Sequence, residues 1–181
     1  MLFRSQLCRL FLEGSSLSEQ LGVWDSRAFL LDMNQLFEQF ITELLVSEAQ
    51  GRTSVDPQVA LLLGEEEKIS MRPDLVIRRD GRAVLAADCK YKRTEAEAYK
   101  NHDYYQILAY CIATGVKHGM LIYPLDAVAT DDTVQVRKTH IAIEQKTINL
   151  GLPFKQFQQE CGHFAGEVLS LATLSALEVS A

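Results

Sequence analysis

The sequence predicts an α/β fold, a mixed central β-sheet flanked by helices, and three observations carry that expectation. Two apolar runs, Leu75-Val76-Ile77 and Ala83-Val84-Leu85-Ala86-Ala87, flank Arg79-Asp80-Gly81-Arg82, a strong hairpin signal. Apolar residues recur at helical spacing before that hairpin, at Met33, Phe37, Phe40, Ile41 and Leu44, and again near the end, at Phe154, Phe157, Cys161, Phe164 and Val168. The order helix, hairpin, helix, strand, strand, helix is that of a mixed α/β sandwich.

The first dozen residues alternate loosely and read as a strand or a short helix. Gly14-Ser15-Ser16 and Ser18 mark a loop. Ala28-Phe29-Leu30-Leu31 reads as a short extended run into Asp32, a good helix N-cap with Gln35 as its capping-box partner. Gly51 ends the helix that follows. Residues 52–70 are uneven: Asp56-Pro57 is a breaker, Val59 to Leu63 is apolar, and Glu65-Glu66-Glu67 is solvated. After the hairpin a second helix is expected from about Lys100 to Ala113, with Gly115 in the usual C-terminal position. Met120-Leu121-Ile122-Tyr123 before Pro124 is a buried-strand candidate, and Val134 to Ile143 alternates as one more strand. Phe154 to about Leu177 reads as a closing helix whose aromatic stripe belongs to the core, with an interface as the alternative.

At 181 residues the chain is expected to form a single domain over 1–181, with a core at about 28–150 and a C-terminal helix at about 153–178. No apolar run approaches the roughly 20 residues of a membrane span. The first residues, with Arg4, Arg9 and Glu13, are too polar for a secretory signal, so no membrane association and a cytoplasmic location are expected. Cysteines at 8, 89, 111 and 161 show no CxxC spacing, so neither a zinc knuckle nor a redox motif is indicated and free structural thiols are expected. There is no GxGxxG or GxxxxGK loop, so no NTPase motor is expected in this chain. The net charge is −6, yet residues 68–93 hold eight basic side chains against three acids, a locally basic segment in an acidic chain.

That segment contains the groups with chemistry. Met71-Arg72-Pro73-Asp74 is followed, fourteen residues after Asp74, by Asp88-Cys89-Lys90. An acid after a proline, two apolar strands and then acid-x-lysine is the layout of the PD-(D/E)XK nucleases. Two carboxylates suit a hard divalent cation, and one ammonium beside them suits an attacking water. Asp88 and Lys90 are two apart on a strand and share a face, with Cys89 turned away. A strict two-residue Asp80-Gly81 turn would pair Asp74 with Ala87, on the wrong face. A three-residue connection with Gly81 left-handed would pair it with Ala86 and put all three groups on one face, so a three-residue turn or a bulge is expected.

Glu38 on the first helix lies at the edge of the apolar stripe, where a carboxylate needs a partner such as a metal ion or Lys90. Gln106 and Tyr110 are spaced i, i+4 on the second helix and can hydrogen-bond a phosphate or the Lys90 loop. His102, one turn earlier, reads as a surface or boundary residue. Lys92 shares the face of Lys90 and reads equally as a phosphate contact or a solvated lysine.

The runs Ala28 to Glu38, Arg72-Pro73-Asp74, Asp88-Cys89-Lys90-Tyr91-Lys92 and Asp103-Tyr104-Tyr105-Gln106-Ile107-Leu108-Ala109-Tyr110 together resemble the McrC family, the nuclease subunit of the 5-methylcytosine-specific restriction system. The likeness covers roughly residues 5–150. It places Glu38, Asp74, Asp88 and Lys90 on that family's PD-(D/E)XK positions, and Gln106 and Tyr110 on the QxxxY element of the related RecB-type nucleases. McrC proteins are usually longer and carry an N-terminal region that engages an AAA+ GTPase, McrB. This chain begins almost at the nuclease domain, so that region is expected to be missing.

The resemblance implies a restriction-endonuclease-like core and a Mg²⁺-dependent DNA endonuclease, with Mn²⁺ able to substitute. Asp74 and Asp88, with the Ala87 or Cys89 carbonyl, would bind the metal, Glu38 directly or through water. Lys90 would orient and help deprotonate the attacking water, while Gln106, Tyr110 and Lys92 position the DNA. A homodimer and an McrB-like AAA+ GTPase are the expected partners. The alternatives are a non-catalytic binding module of the same fold, or a nuclease subunit active only beside its motor.

Overall fold

The computed structural model describes residues 32–64, 66, 68–91, 97–125 and 132–179. The readings made for residues 1–31, among them the Ala28–Leu31 run and Cys8, lie outside these.

Asp32 opens the first helix, α1 (Met33–Glu48), as its N-cap, its carboxylate accepting from the backbone N–H groups of Asn34 and Gln35 at 3.0 and 3.2 Å. Phe37, Ile41 and Leu45 are its buried stripe, while Met33 is exposed. The helix stops at Glu48, before Gly51, which takes a left-handed φ of 64° in the turn that follows. Five strands come next: β1 (Thr53–Pro57), β2 (Leu61–Leu63), β3 (Ile69–Met71), β4 (Leu75–Arg79) and β5 (Arg82–Cys89). Helix α2 (Glu97–Thr114) ends at Gly115 with φ 72°, as expected. Strands β6 (His118–Pro124), β7 (Asp132–Gln135) and β8 (Ala142–Ile148) then lead to α3 (Phe154–Val179).

Six strands form one mixed sheet in the order β1-β4-β5-β6-β8-β7, and β2 and β3 pair as a separate ribbon. β1/β4, β4/β5 and β7/β8 are antiparallel; β5/β6 and β6/β8 are parallel. Helix α2 is the crossover between the parallel strands β5 and β6. One face of the sheet packs Leu75, Leu85, Ala87 and Ile122 against Phe37 and Ile41 of α1 and Phe164 and Val168 of α3. The other packs Ala86, Leu121, Tyr123 and Ile143 against Ile107, Tyr110 and Cys111 of α2. The closing helix is thus core along Phe164, Ala165, Val168 and Ala172. Its first residue, Phe154, is exposed, and Phe157 stacks on Phe40 with ring centroids 5.8 Å apart.

Two expectations are corrected. Asp56-Pro57 does not break the chain but ends β1. β1 is an edge strand, so a proline without a donor N–H is tolerated at its last position. The stretch from Val134 to Ile143 is two strands rather than one. Val136 donates its N–H to the Ile141 carbonyl at 3.0 Å, and Lys138 turns left-handed between them at φ 62°. Its alternation came from two antiparallel neighbours facing the same way.

A close approach sets the position of α2. A Cβ on Gly119 of β6 would lie 2.7 Å from Cys111 Sγ and 2.9 Å from Ile107 Cγ1. Only a residue without a side chain lets the helix sit this near the sheet. Cys89, Cys111 and Cys161 are free thiols, the first two buried. Among the described residues no helix is long and apolar enough to cross a membrane.

Candidate active site

The hairpin solves the parity problem with a bulge. Asp80 and Gly81 form a two-residue turn, both left-handed at φ 51° and 78°, and Arg79 pairs with Arg82. The register then shifts, with Arg78 opposite Ala83 but Ile77 opposite Leu85, so Val84 is the extra residue. Beyond the bulge Leu75 pairs with Ala87. One further step sets Asp74 opposite Asp88, not opposite Ala87 as the two-residue turn alone would have it, nor opposite Ala86 as a three-residue connection would. Asp74, Asp88 and Lys90 therefore share the face covered by α2.

There they meet. Lys90 Nζ lies 2.5 Å from Asp88 Oδ2, and the Asp88 side chain is only 2% exposed. Asp74 accepts through Oδ2 from the Cys89 backbone N–H at 2.7 Å, which pins the carboxylate of one strand to the backbone of the next. The Lys90 N–H is held by the Ile122 carbonyl at 2.8 Å, so β6 fixes the end of β5. From α2, Gln106 accepts from Lys90 Nζ at 3.0 Å through Oε1 and donates through Nε2 to the Tyr110 hydroxyl at 2.7 Å. The i, i+4 pair read from sequence is thus a short relay ending on the lysine.

The charges are unbalanced. Burial, the Asp88 charge and more weakly Glu38 push the Asp74 carboxyl from 3.8 up to about 7, against the opposing Cys89 N–H and the Lys90 charge. Burial alone would lower the Lys90 pKa, but the Asp88 charge and hydrogen bond and then Asp74 outweigh it and raise it. Lys90 is an ammonium at neutral pH. Burial likewise raises the Tyr110 phenol, which stays a neutral hydrogen-bonding group.

Glu38 sits on α1, in the layer on the far side of the sheet, yet its charge is felt by Asp74. Its Oε1 accepts from the side-chain amide of Gln58. The Gln58 N–H in turn donates to the Asp74 carbonyl at 2.9 Å, from a left-handed backbone with φ 53°. Gln58 had no sequence signal, since neither a left-handed glutamine nor its long-range partners can be read locally. A second missed group lies behind Lys90. Asp103, 1% exposed, accepts from the Tyr123 hydroxyl at 2.8 Å. A tyrosine within the apolar run of β6 was the available hint, because a buried phenol needs a polar partner.

His102 is an exposed residue, its Nδ1 4.0 Å from Asp103 Oδ1. Lys92 lies outside the described residues. Two arginines of the basic segment are structural: Arg78 pairs with Asp56 at 2.6 Å and Arg79 donates to Thr173 Oγ1 at 2.7 Å, whereas Lys68, Arg72 and Arg82 are exposed.

Among the described residues no group of three or more His, Cys, Asp or Glu side chains is placed to hold a metal ion. The oxygen donors of Asp74 and Asp88 fit Mg²⁺ nonetheless. That ion is usually held by one or two carboxylates together with waters and substrate phosphates. Burial first and then the Asp88 charge drive Asp74 up to about 7, and a divalent cation would offset that neighbouring charge.

A six-stranded mixed sheet flanked by helices, with an acid just before β4, another near the end of β5 and a lysine just past it, is an α/β fold consistent with a nuclease-like core. A chain in the solved half-complex from the tetradecameric assembly of Thermococcus gammatolerans McrB AAA+ hexamers with bound McrC shares this fold. Its TM-score is 0.57 at 17% identity, and the match covers 78% of the present chain and 34% of that one. The present chain therefore spans about a third of the chain it matches. No curated protein matches significantly. Residues 4–124 match the McrBC 5-methylcytosine restriction system components, and the chain belongs to that family.

Proposed function

We propose that this chain is the nuclease part of an McrC-like restriction subunit, a Mg²⁺-dependent endonuclease that hydrolyses phosphodiester bonds in DNA. The observation that carries the reading is the meeting of Asp74, Asp88 and Lys90 at the end of β5, braced by Gln106 and Tyr110. Asp74 and Asp88, with the Ala87 or Cys89 carbonyl, would hold the ion, and Glu38 would support it through water. A bound Mg²⁺ would lower the pKa of a water and screen the phosphate charge.

The chain's own groups supply the rest. As an ammonium, Lys90 donates a hydrogen bond, so it would orient the attacking water and stabilise the charge growing on the phosphate rather than take a proton. Gln106 aims that ammonium, and Tyr110 fixes the glutamine. Exposed Arg72 and Arg82 are available for backbone phosphates.

The neighbouring McrB–McrC assembly supports an McrB-like AAA+ protein as partner. The test is cleavage of plasmid DNA by the purified chain with Mg²⁺ or Mn²⁺, alone and with such a partner, beside Asp88→Ala. Metal-dependent nicking absent from the variant supports the reading. Activity only with the partner makes the chain a motor-dependent subunit. Failure to bind metal under either condition favours a non-catalytic binding module.

A further inference from the structure

Glu38 and Asp74 lie on opposite sides of the sheet. Glu38 is on α1, which covers one face of the sheet, while the Asp88 and Lys90 side chains occupy the other, under α2. What joins them is the residue just past the end of the edge strand β1, where the sheet stops. Gln58 donates its backbone N–H to the Asp74 carbonyl at 2.9 Å and its side-chain amide to Glu38 Oε1. It does so from φ 53°, a conformation that costs an ordinary L-residue energy and persists only where its surroundings hold it. Glycine would be at ease there, but glycine has no amide to offer Glu38.

We infer that Gln58 is a positioning residue of the metal site, clamping Glu38 of α1 to the chain just before β4 that bears Asp74, so that the Glu38 carboxylate is held near the two metal-binding acids and supports the ion through water. The inference rests on the metal-site reading above. Gln58 is itself exposed, so its side chain adds little to the core, and a packing role does not account for the strained backbone. Residues that orient metal ligands from outside the coordination sphere typically change affinity 10–100-fold, and an exposed clamp belongs at the lower end of that range.

The test titrates Mn²⁺ by calorimetry into wild type, Gln58→Gly, Glu38→Gln, the double variant and Asp88→Ala, with thermal midpoints measured in EDTA. Gln58→Gly is expected to bind Mn²⁺ about tenfold more weakly while its metal-free midpoint is unchanged or higher, because glycine relieves the left-handed strain. On the Glu38→Gln background the same change is expected to cost no further affinity. Wild-type affinity in Gln58→Gly, with binding lost in Asp88→Ala, overturns the clamp and leaves the metal site standing. A full additional loss on the Glu38→Gln background also overturns it, since Gln58 would then act through something other than Glu38. No Mn²⁺ binding by wild type, or equal binding by Asp88→Ala, removes the site and the clamp together.

Discussion

The ammonium of Lys90 donates to the side-chain carbonyl of Gln106 at 3.0 Å, tying the last residues of a strand to the middle of the helix that crosses over it. Without that bond the nearest group to the ammonium would be Asp88, 2.5 Å away, which draws it toward the acid. The glutamine offers a neutral second anchor, and Tyr110 holds the glutamine in turn.

Gln106→Leu keeps the volume and removes both bonds. A hydrogen bond to a charged group is worth about 1.5–3 kcal/mol, so cleavage is expected to fall roughly 10- to 100-fold. Mn²⁺ affinity should hardly change, because the bonds removed run to Lys90 and Tyr110, not to Asp74 or Asp88. Tyr110→Phe removes only the outer link and is expected to cost several-fold. Single-turnover cleavage beside calorimetric Mn²⁺ titration checks this, and parallel losses of rate and affinity in Gln106→Leu would contradict the arrangement.

Asp88→Ala and Lys90→Ala are each expected to abolish cleavage with the fold retained. Circular dichroism and the thermal midpoint report on the fold. Asp88 is buried beside Lys90, so removing the lysine takes a positive charge from beside a buried carboxylate and should lower stability more than removing the acid. Measurable cleavage by either variant would sink the assignment of the site.

Gly119→Ala tests how the relay is placed. The new methyl would lie under 3 Å from Cys111 Sγ and Ile107 Cγ1, neighbours of Tyr110 and Gln106 along α2. Overpacking of this kind costs about 1–3 kcal/mol, a drop of several degrees in a domain of this size. As these α2 side chains are pushed from the sheet, the helix that carries Gln106 is displaced with them, and cleavage should fall even at temperatures where the variant is fully folded. A variant with wild-type stability and activity would show that α2 is not held by this contact.

The parts of this site that sequence could show are those governed by local periodicity. Strand alternation put Asp88 and Lys90 on one face and required something to restore parity for Asp74, and the bulge at Val84 is that device. Helical spacing put Gln106 and Tyr110 one turn apart. What escaped depends on contacts between distant segments. Asp56-Pro57 read as a breaker because nothing local distinguishes an edge strand from a loop. Val134 to Ile143 read as one strand because a tight antiparallel return preserves alternation. Gln58 meets Glu38 and Asp74 across 20 and 16 residues of chain, through a backbone conformation that glutamine does not advertise.

Asp74 also makes the stability of the metal-free protein depend on pH. Its carboxyl is raised from 3.8 to about 7 by burial first, then by the Asp88 charge. Between those values the folded chain holds a proton that the unfolded chain has released. The associated stability is therefore fully present below about pH 4 and lost as pH rises through about 7. A shift of this size corresponds to a few kcal/mol at most. In EDTA the wild-type denaturation midpoint is expected to decline from pH 5 to pH 8. Asp74→Asn, which cannot ionise, should flatten that decline and exceed wild type at pH 8. Excess Mg²⁺ should restore wild type at pH 8 but leave Asp74→Asn where it was, because the cation would supply the charge that the ionised acid lacks. A wild-type midpoint that rises over this range, or an Asp74→Asn variant less stable than wild type at pH 8 without metal, would show that Asp74 is not held against its own charge.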